Sequence, residues 1–204
     1  MLNLAIELDS PLTPLIDTLD QEYSLYCVTF VHKLTNEKIT AHSFIVFPKC
    51  SVLESLKQHN GMYVVEYEHF DIFLKFVHLL YGKTLKVTIT ELIKIFHLSI
   101  ELNYEHSMLL KEKIYMSIES ISYSSENNQL PILLCLMSDE QFDLKLLIEN
   151  SSMSQLKRIL MMTSDEKILR TIGLDIMRRY TETTSNLKKH YESKENAIIS
   201  KYET

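Results

Sequence analysis

The segment FDIFLKFVHLLY, residues 70–81, carries apolar side chains on almost every side of a helix. The apolar positions include Phe70, Ile72, Phe73, Leu74, Phe76, Val77, Leu79 and Tyr81. A helix that is apolar nearly all round must be covered on more than one side. The pattern therefore predicts a core helix inside a layered domain, and Gly82 directly after it is a typical C-cap residue.

Composition agrees with a globular and mostly helical chain. Hydrophobic residues make up 46% and charged residues 24%, which is typical of a folded domain and not of a disordered chain. Only 3 glycines and 4 prolines occur, which favours helices with tight connections. The length of 204 residues suits one domain with an extension, or two small domains.

Strand patterns precede the core helix. Residues 24–31, SLYCVTFV, are rich in aromatic and β-branched side chains and predict a buried strand. A turn at Asn36 leads to a second short strand at 38–40, so these residues predict a hairpin. A third strand, at 62–67, follows the turn signal Asn60-Gly61. The class predicted is α+β, mostly helical.

Helix patterns follow residue 82. Thr88 and Glu91 have the spacing of a capping box. The helix that they open has a predicted inward face of Leu92, Ile93, Phe96 and Ile100, and we expect it to end at Asn103. A further helix is predicted from about residue 105 to 121, with an inward face of Leu110, Ile114, Ile118 and Ile121.

The rest of the chain predicts an extension made of helices. The polar segment 122–129 is a candidate boundary. Two further capping-box patterns, Ser138 with Gln141 and Thr163 with Glu166, predict short helices. Residues 174–204 predict one long polar helix. Its sparse seven-residue apolar stripe, interrupted near Lys194, is a candidate interface: Tyr180, Leu187, Tyr191, Ile198 and Tyr202.

The N-terminal residues predict an arm with one apolar side. Leu2, Leu4, Ile6 and Leu8 alternate with less apolar residues, which is a strand pattern. We expect this apolar side to be buried, either on its own domain or on a partner. The same residues lack a basic start and a long apolar run, so a signal peptide is not expected.

The order of these elements resembles a BTB/POZ domain over about residues 23–122. The similarity lies in an ordered set of positions: Ala41, His42, Ile45, Val46, Leu53, Phe70, Phe73, Leu74, Val77, Tyr81, Gly82, Leu92, Leu98 and Leu102. The resemblance implies a small three-stranded sheet capped by helical hairpins, with a helical extension similar to a BACK domain. It implies four regions: an arm at 1–22, the BTB/POZ domain at 23–122, the extension at 123–180 and a polar helix at 181–204.

Three positions depart from the family pattern. Cys27 replaces an acid that contributes to the charged pocket of transcription-repressor relatives. The turn Tyr81-Gly82 is shorter than in the family, which alters a loop used by cullin-binding members. Pro48 replaces a small helix residue.

No pattern of catalytic or metal-binding residues is present. By the resemblance, His42 lies where the second strand turns into the first helix, and we expect it to hydrogen-bond there while partly buried. Cys50, eight residues on, has no acid placed to orient an imidazole, so a catalytic dyad is not expected. The eight histidines lack metal spacing, and the three cysteines favour a reducing compartment. No enzyme activity and no cofactor are expected.

The resulting functional prediction is a protein–protein interaction module. The resemblance implies a homodimer formed by the BTB domain, with Leu2, Leu4, Ile6 and Leu8 as an exchanged strand. A structural or scaffold subunit of an intracellular, cytoplasmic assembly, such as one on the cytoskeleton, is favoured because no recognition domain is attached. A substrate adaptor of a cullin-type ubiquitin ligase is the alternative. The net charge of −6 argues against nucleic acid, and neither a membrane nor a small-molecule substrate is expected.

Overall fold

The structure, a computed structural model, describes residues 6–8, 26–122 and 130–202, with side chains for 26–118 and 130–194. The chain divides into two compact units, Met1–Ser117 and Ile118–Thr204. The predicted class, α+β and mostly helical, is confirmed. Most of the predicted boundary at 122–129 lies outside the described residues.

Six strands and nine helices are present in the described residues. In chain order the strands are β1 (Ile6–Leu8), β2 (Cys27–His32), β3 (Lys38–His42), β4 (Gln58–His59), β5 (Met62–Val65) and β6 (Leu85–Val87). The helices are α1 (Ser43–Lys49), α2 (Ser51–Ser55), α3 (Phe70–Leu80), α4 (Ile89–Glu101), α5 (Ser107–Ser122), α6 (Leu130–Ser138), α7 (Leu144–Glu149), α8 (Met153–Met162) and α9 (Glu166–Tyr202).

The main sheet has four strands in the order β3-β2-β5-β4, so the predicted three-stranded sheet was wrong by one strand. The extra strand is β4, which has only two residues and is too short to show alternation. β2 pairs antiparallel with β3, as the predicted hairpin requires, and parallel with β5. A separate two-stranded sheet joins β1 to β6.

The turn predicted at Asn60-Gly61 connects β4 to β5. His59 pairs with Met62, so Asn60 and Gly61 form a two-residue loop. Both residues have positive φ, 51° and 74°. Positive φ at both central positions defines the type I′ turn, for which Asn-Gly is the preferred pair because its twist matches that of the strands.

Helix α3 is the core helix that its sequence predicts. Its buried side chains are Phe70, Ile72, Phe73, Phe76, Val77, Leu79 and Leu80. One side packs on the sheet, where the Phe73 and Phe30 ring centroids are 5.4 Å apart in an edge-to-face contact. α3 also contacts α1 and α4, so it is covered from several directions as its composition requires.

Helix α4 begins with the predicted capping box but buries a different face from the one expected. The Glu91 N–H donates to Thr88 Oγ1 at 3.2 Å, and the Thr88 N–H donates to the Glu91 carboxylate at 2.8 Å. Leu92 and Phe96 are buried as predicted, but Ile100 is 39% exposed. The inward face instead includes Ile95 and Leu98. Leu92, Phe96 and Ile100 are spaced by four residues, and each such step drifts by about 40° around a helix of 3.6 residues per turn, so Ile100 lies off the buried face.

After α4, the structure agrees with the predicted helix end at Asn103 and, where its side chains are described, with the predicted inward face of α5. Asn103 follows α4 with a positive φ of 53°, a backbone conformation that asparagine tolerates better than most residues. In α5, Leu110 and Ile114 are buried. Ile118, the first residue of unit 2, is buried as well, whereas the side chain of Ile121 lies outside the described ones.

The unit Ile118–Thr204 contains α6 to α9, and two predicted capping boxes in it were wrong. Ser138 is the last residue of α6, and its hydroxyl donates to the Leu134 carbonyl. Thr163 follows α8, whereas Asp165 accepts the Ile168 N–H at the start of α9. Serine and threonine also bond to carbonyls inside and after helices, so the spacing alone is ambiguous.

Two helix starts in this unit have caps that the sequence reading did not identify. Asp143 accepts the N–H groups of Lys145 and Leu146 at the start of α7. Ser152 and Gln155 form a complete capping box at the start of α8. In the described part of the chain, no helix combines the length and the apolar character that crossing a membrane requires.

Candidate interaction surface

The junction between β3 and α1 is tied to the end of α3 by His42. His42 is the last residue of β3 and the N-cap residue of α1. Its Nδ1 lies 2.8 Å from the Tyr81 hydroxyl oxygen, and its backbone N–H donates to that same oxygen at 2.5 Å. Tyr81 is the C-cap residue of α3, so one phenol connects two elements that are 39 residues apart.

Gly82 completes this junction by ending α3 in a Schellman motif. The Lys83 N–H donates to the His78 carbonyl, and the Gly82 N–H donates to the Leu79 carbonyl. This pair of bonds requires a left-handed residue, and Gly82 has φ 79°. Ala41, which precedes His42, is buried opposite Val28 in the sheet. The structural signature of the resemblance, namely Ala41, His42, Tyr81 and Gly82, therefore consists of residues that all contribute to the sheet or to this junction.

Two exposed aromatic rings lie beside His42. Tyr26 is 56% exposed and Phe44 is 45% exposed, and their ring centroids are 6.1 Å apart with an interplanar angle of 88°. The Phe44 ring lies 5.4 Å from the His42 imidazole, and that imidazole lies 5.9 Å from the Tyr81 ring. We name these four residues, Tyr26, His42, Phe44 and Tyr81, the aromatic surface.

Sequence reasoning did not identify the two exposed rings of this surface. The strand pattern at 24–31 predicts that Tyr26 is buried, and Phe44 belongs to an apolar, helix-like pattern that follows Ala41 and His42. The position of Tyr26 just before β2 was the available signal, because side chains at the start of a strand have fewer cross-strand neighbours.

The N-terminal arm is described only in part. Ile6 and Leu8 belong to β1, which pairs in this chain with β6 in the register Ile6–Val87 and Leu8–Leu85. Leu2 and Leu4 lie outside the described residues.

The predicted stripe on α9 divides into three parts. Tyr180 contacts its own unit, because the Lys157 ammonium donates to its hydroxyl at 2.8 Å. Leu187 is 52% exposed and Tyr191 is 68% exposed. The side chains of Ile198 and Tyr202 lie outside the described ones.

Cys50 is buried, and burial raises the pKa of its thiol to about 12, so it is protonated at neutral pH and is a poor nucleophile. Burial likewise raises the pKa of Tyr104 to about 12. Among residues 6–8, 26–122 and 130–202, no group of three or more His, Cys, Asp or Glu side chains is placed to hold a metal ion.

Comparison with known proteins adds no identification. No protein-family model matches this chain, and no curated protein matches it.

Proposed function

We propose that this protein is a non-enzymatic protein–protein interaction module of the BTB/POZ type, which associates with a second copy of itself and acts as a scaffold subunit. The observation that carries the proposal is the exposed edge-to-face pair of Tyr26 and Phe44. Aromatic side chains are enriched at protein interfaces, where a few of them supply most of the binding energy.

The aromatic surface is suited to binding because its base is rigid. His42 is fixed by its hydrogen bonds to Tyr81, and Phe44 lies in the first turn of α1. A rigid base lowers the conformational entropy lost on association. Full burial of a large apolar side chain is worth about 1.5–3 kcal/mol, so covering both rings supplies a substantial driving force.

The sheet of β1 and β6 supports self-association by a second route. Each strand has only three residues, and an isolated two-stranded sheet is marginally stable in water. The same antiparallel bonds form equally well between β1 of one copy and β6 of another. Exchange of β1 between two copies would therefore add contacts between the copies and keep the hydrogen bonds between β1 and β6.

The exposed part of α9 supports the scaffold role. Leu187 and Tyr191 are four residues apart, so they lie on one face of the helix and are exposed together. In this proposal that face binds another protein of the assembly. The dimer and the tail then give one subunit more than one attachment point.

Light scattering on purified full-length protein tests the proposed self-association. We expect the wild type to be a dimer and the double variant Tyr26→Ser/Phe44→Ser to be a monomer, because the variant removes both exposed rings. The matched control is Leu34→Ser/Met108→Ser, which removes two other exposed apolar side chains of the same unit and should remain dimeric. A monomeric wild type, or dimers in both variants, would contradict the proposal.

Affinity capture of the tagged protein from its own cells tests the scaffold role. Stable structural proteins in the captured material would support a scaffold. Recovery of a cullin would favour the alternative, a ubiquitin-ligase adaptor, and would direct mutagenesis to the turn at Tyr81.

A further inference from the structure

The face of the main sheet opposite α3 contains a groove with an apolar floor. Val31 pairs with Lys38 on one side and Val64 on the other, so these three side chains lie on one face. Met62 is two residues from Val64 and shares that face. Phe30, next to Val31, points to the other face and packs on Phe73 of α3.

Lysines surround this floor. Lys33, Lys38 and Lys57 line the groove together with one carboxylate, Glu66, and the groove has a volume of about 720 Å³. With histidine neutral, its lining has three positive charges and one negative charge, although the chain as a whole has a net charge of −6. The groove is therefore locally positive on an acidic protein. We name it the lysine-rimmed groove.

The single carboxylate does not neutralise the three lysines. The Lys33 ammonium donates to the Glu66 carboxylate at 2.9 Å, so the charges of these two side chains offset each other. Within the described part of the chain, the ammonium groups of Lys38 and Lys57 have no hydrogen bond or ion pair. The Lys33 hydrogen bond and charge lower the pKa of Glu66, and the charge of Lys57 lowers it further.

We propose that the lysine-rimmed groove binds an extended acidic segment of a partner protein, one whose carboxylates alternate with apolar side chains. Alternating side chains of an extended segment point to opposite sides, so the apolar ones face the floor of Val31, Met62 and Val64 while the carboxylates point outward. The long lysine side chains at the rim extend into solvent and reach these carboxylates. Complementary charge supplies specificity and fast association, and apolar burial supplies affinity. The inference rests on the proposed role in protein interaction and adds the class of partner.

The test measures binding of full-length protein to a short fluorescein-labelled peptide in which glutamate alternates with valine. We expect binding that weakens as salt is raised, because the lysines are solvent-accessible and salt screens their charge. A peptide with lysine in place of glutamate should not bind. The variant Lys38→Glu/Lys57→Glu should lose at least about tenfold in affinity, the equivalent of about 1.4 kcal/mol.

A matched charge control separates the groove from net charge. Lys145→Glu/Lys188→Glu makes the same change of charge at two exposed lysines of the other unit, and it should bind the peptide as the wild type does. Met62→Ser should weaken binding without changing its salt dependence, because it alters only the floor. An equal loss in both lysine pairs would overturn the proposal.

Two further outcomes would assign the groove to another occupant and so overturn the proposal. Competition by inorganic phosphate, with no effect of Met62→Ser, would indicate a small-anion site. Tighter peptide binding by the variant Asp17→Asn/Asp20→Asn/Glu22→Gln would indicate that this chain's own acidic segment competes for the groove.

The proposal of peptide binding in the groove and the proposal of self-association can be refuted separately. Tyr26→Ser/Phe44→Ser should bind the peptide normally even as a monomer. Lys38→Glu/Lys57→Glu should remain dimeric even without peptide binding. Each variant thus reports on one proposal and serves as the folding control for the other.

Discussion

Helices α4 and α9 are stabilised in different ways. α4 is held along its whole length, by the Thr88–Glu91 capping box, by a buried face that includes Ile95, and by an ion pair from Glu91 to Lys75 of α3. Among the side chains that the structure describes, those that hold α9 lie in its first half, where Ile168 and Ile172 are buried. All residues from 181 to 194 are exposed.

This difference separates a helix whose formation is explained by contacts within the chain from a helix segment whose formation is not. Apolar burial and capping together explain why residues 89–101 form a helix. Residues 181–194 have neither in the described chain, and their sequence contains several threonines, which are poor helix formers. A partner that covers Leu187 and Tyr191 would supply the missing stabilisation. The contrast therefore lies between a helix that its own unit stabilises and a helix segment that its own unit leaves exposed.

The largest expected effect comes from truncating a core residue of α4. Ile95 is fully buried, so Ile95→Ala should reduce the free energy of unfolding by about 2–5 kcal/mol through lost apolar burial and a new cavity. Leu187→Ala is the matched truncation in the exposed half of α9, and it should stay within about 0.5 kcal/mol of the wild type. Urea denaturation measures both, and a comparable loss in the two variants would refute the contrast.

The second effect concerns the packed half of α9. The Arg179 guanidinium donates to the carbonyls of Ile148 and Ser151 at 2.7 and 2.9 Å, and its Nε lies 2.5 Å from Asp175. It therefore satisfies carbonyls at the end of α7, where a cation is also favoured by the helix dipole. Arg179→Gln should cost about 1–3 kcal/mol, because carbonyls lose their donors.

The neighbouring arginine is the control for Arg179. Arg178 is more exposed, and its ion pairs with Asp175 and Glu182 lie on α9 itself. Exposed ion pairs contribute little to stability because solvent screens their charges, so Arg178→Gln should be nearly neutral in the same denaturation assay. Equal losses for the two substitutions would mean that Arg179 does not anchor α9 to α7.

A smaller effect should appear in acid, at the start of α4. Burial raises the pKa of Glu91, but hydrogen bonds from Lys75 and Thr88 outweigh it, so the pKa lies below its usual range. A lowered folded-state pKa gives stability that is present at neutral pH and is lost as the pH falls through that pKa. Glu91→Gln should therefore lower the melting temperature at neutral pH. In acid, the difference in melting temperature between this variant and the wild type should become smaller.

Glu192→Gln, on the exposed half of α9, provides the charge-matched control for Glu91. Its carboxylate lies 3.9 Å from Lys188, and both side chains are exposed. We expect its melting curve to follow the wild type at every pH. If Glu91→Gln gave the same pH profile as the wild type, the capping box would not contribute to acid sensitivity.

The helices of this chain were easier to predict than their caps and surfaces. α3 was predictable because its apolar residues surround the helix, which leaves a single interpretation. The inward face of α4 was not, because the four-residue spacing of Leu92, Phe96 and Ile100 drifts around the helix and leaves Ile100 exposed. His42 was expected to make hydrogen bonds, but its partner Tyr81 is 39 residues away and only the fold brings the two together. Exposure of Tyr26 and Phe44 likewise depends on what the neighbouring elements leave uncovered.

The smallest expected effect on stability concerns the exposed half of α9. Deletion of residues 182–204 should leave the urea midpoint of the remaining protein unchanged, because residues 182–194 are exposed and Arg179 and Tyr180 keep their contacts. The same deletion should reduce capture of any protein that binds Leu187 and Tyr191. An isolated polar helix is marginal in water, so we expect a bound partner to stabilise residues 182–194. A large loss of stability on deletion would instead mean that the tail packs on its own domain, and the exposed half of α9 would then have no role as a docking helix.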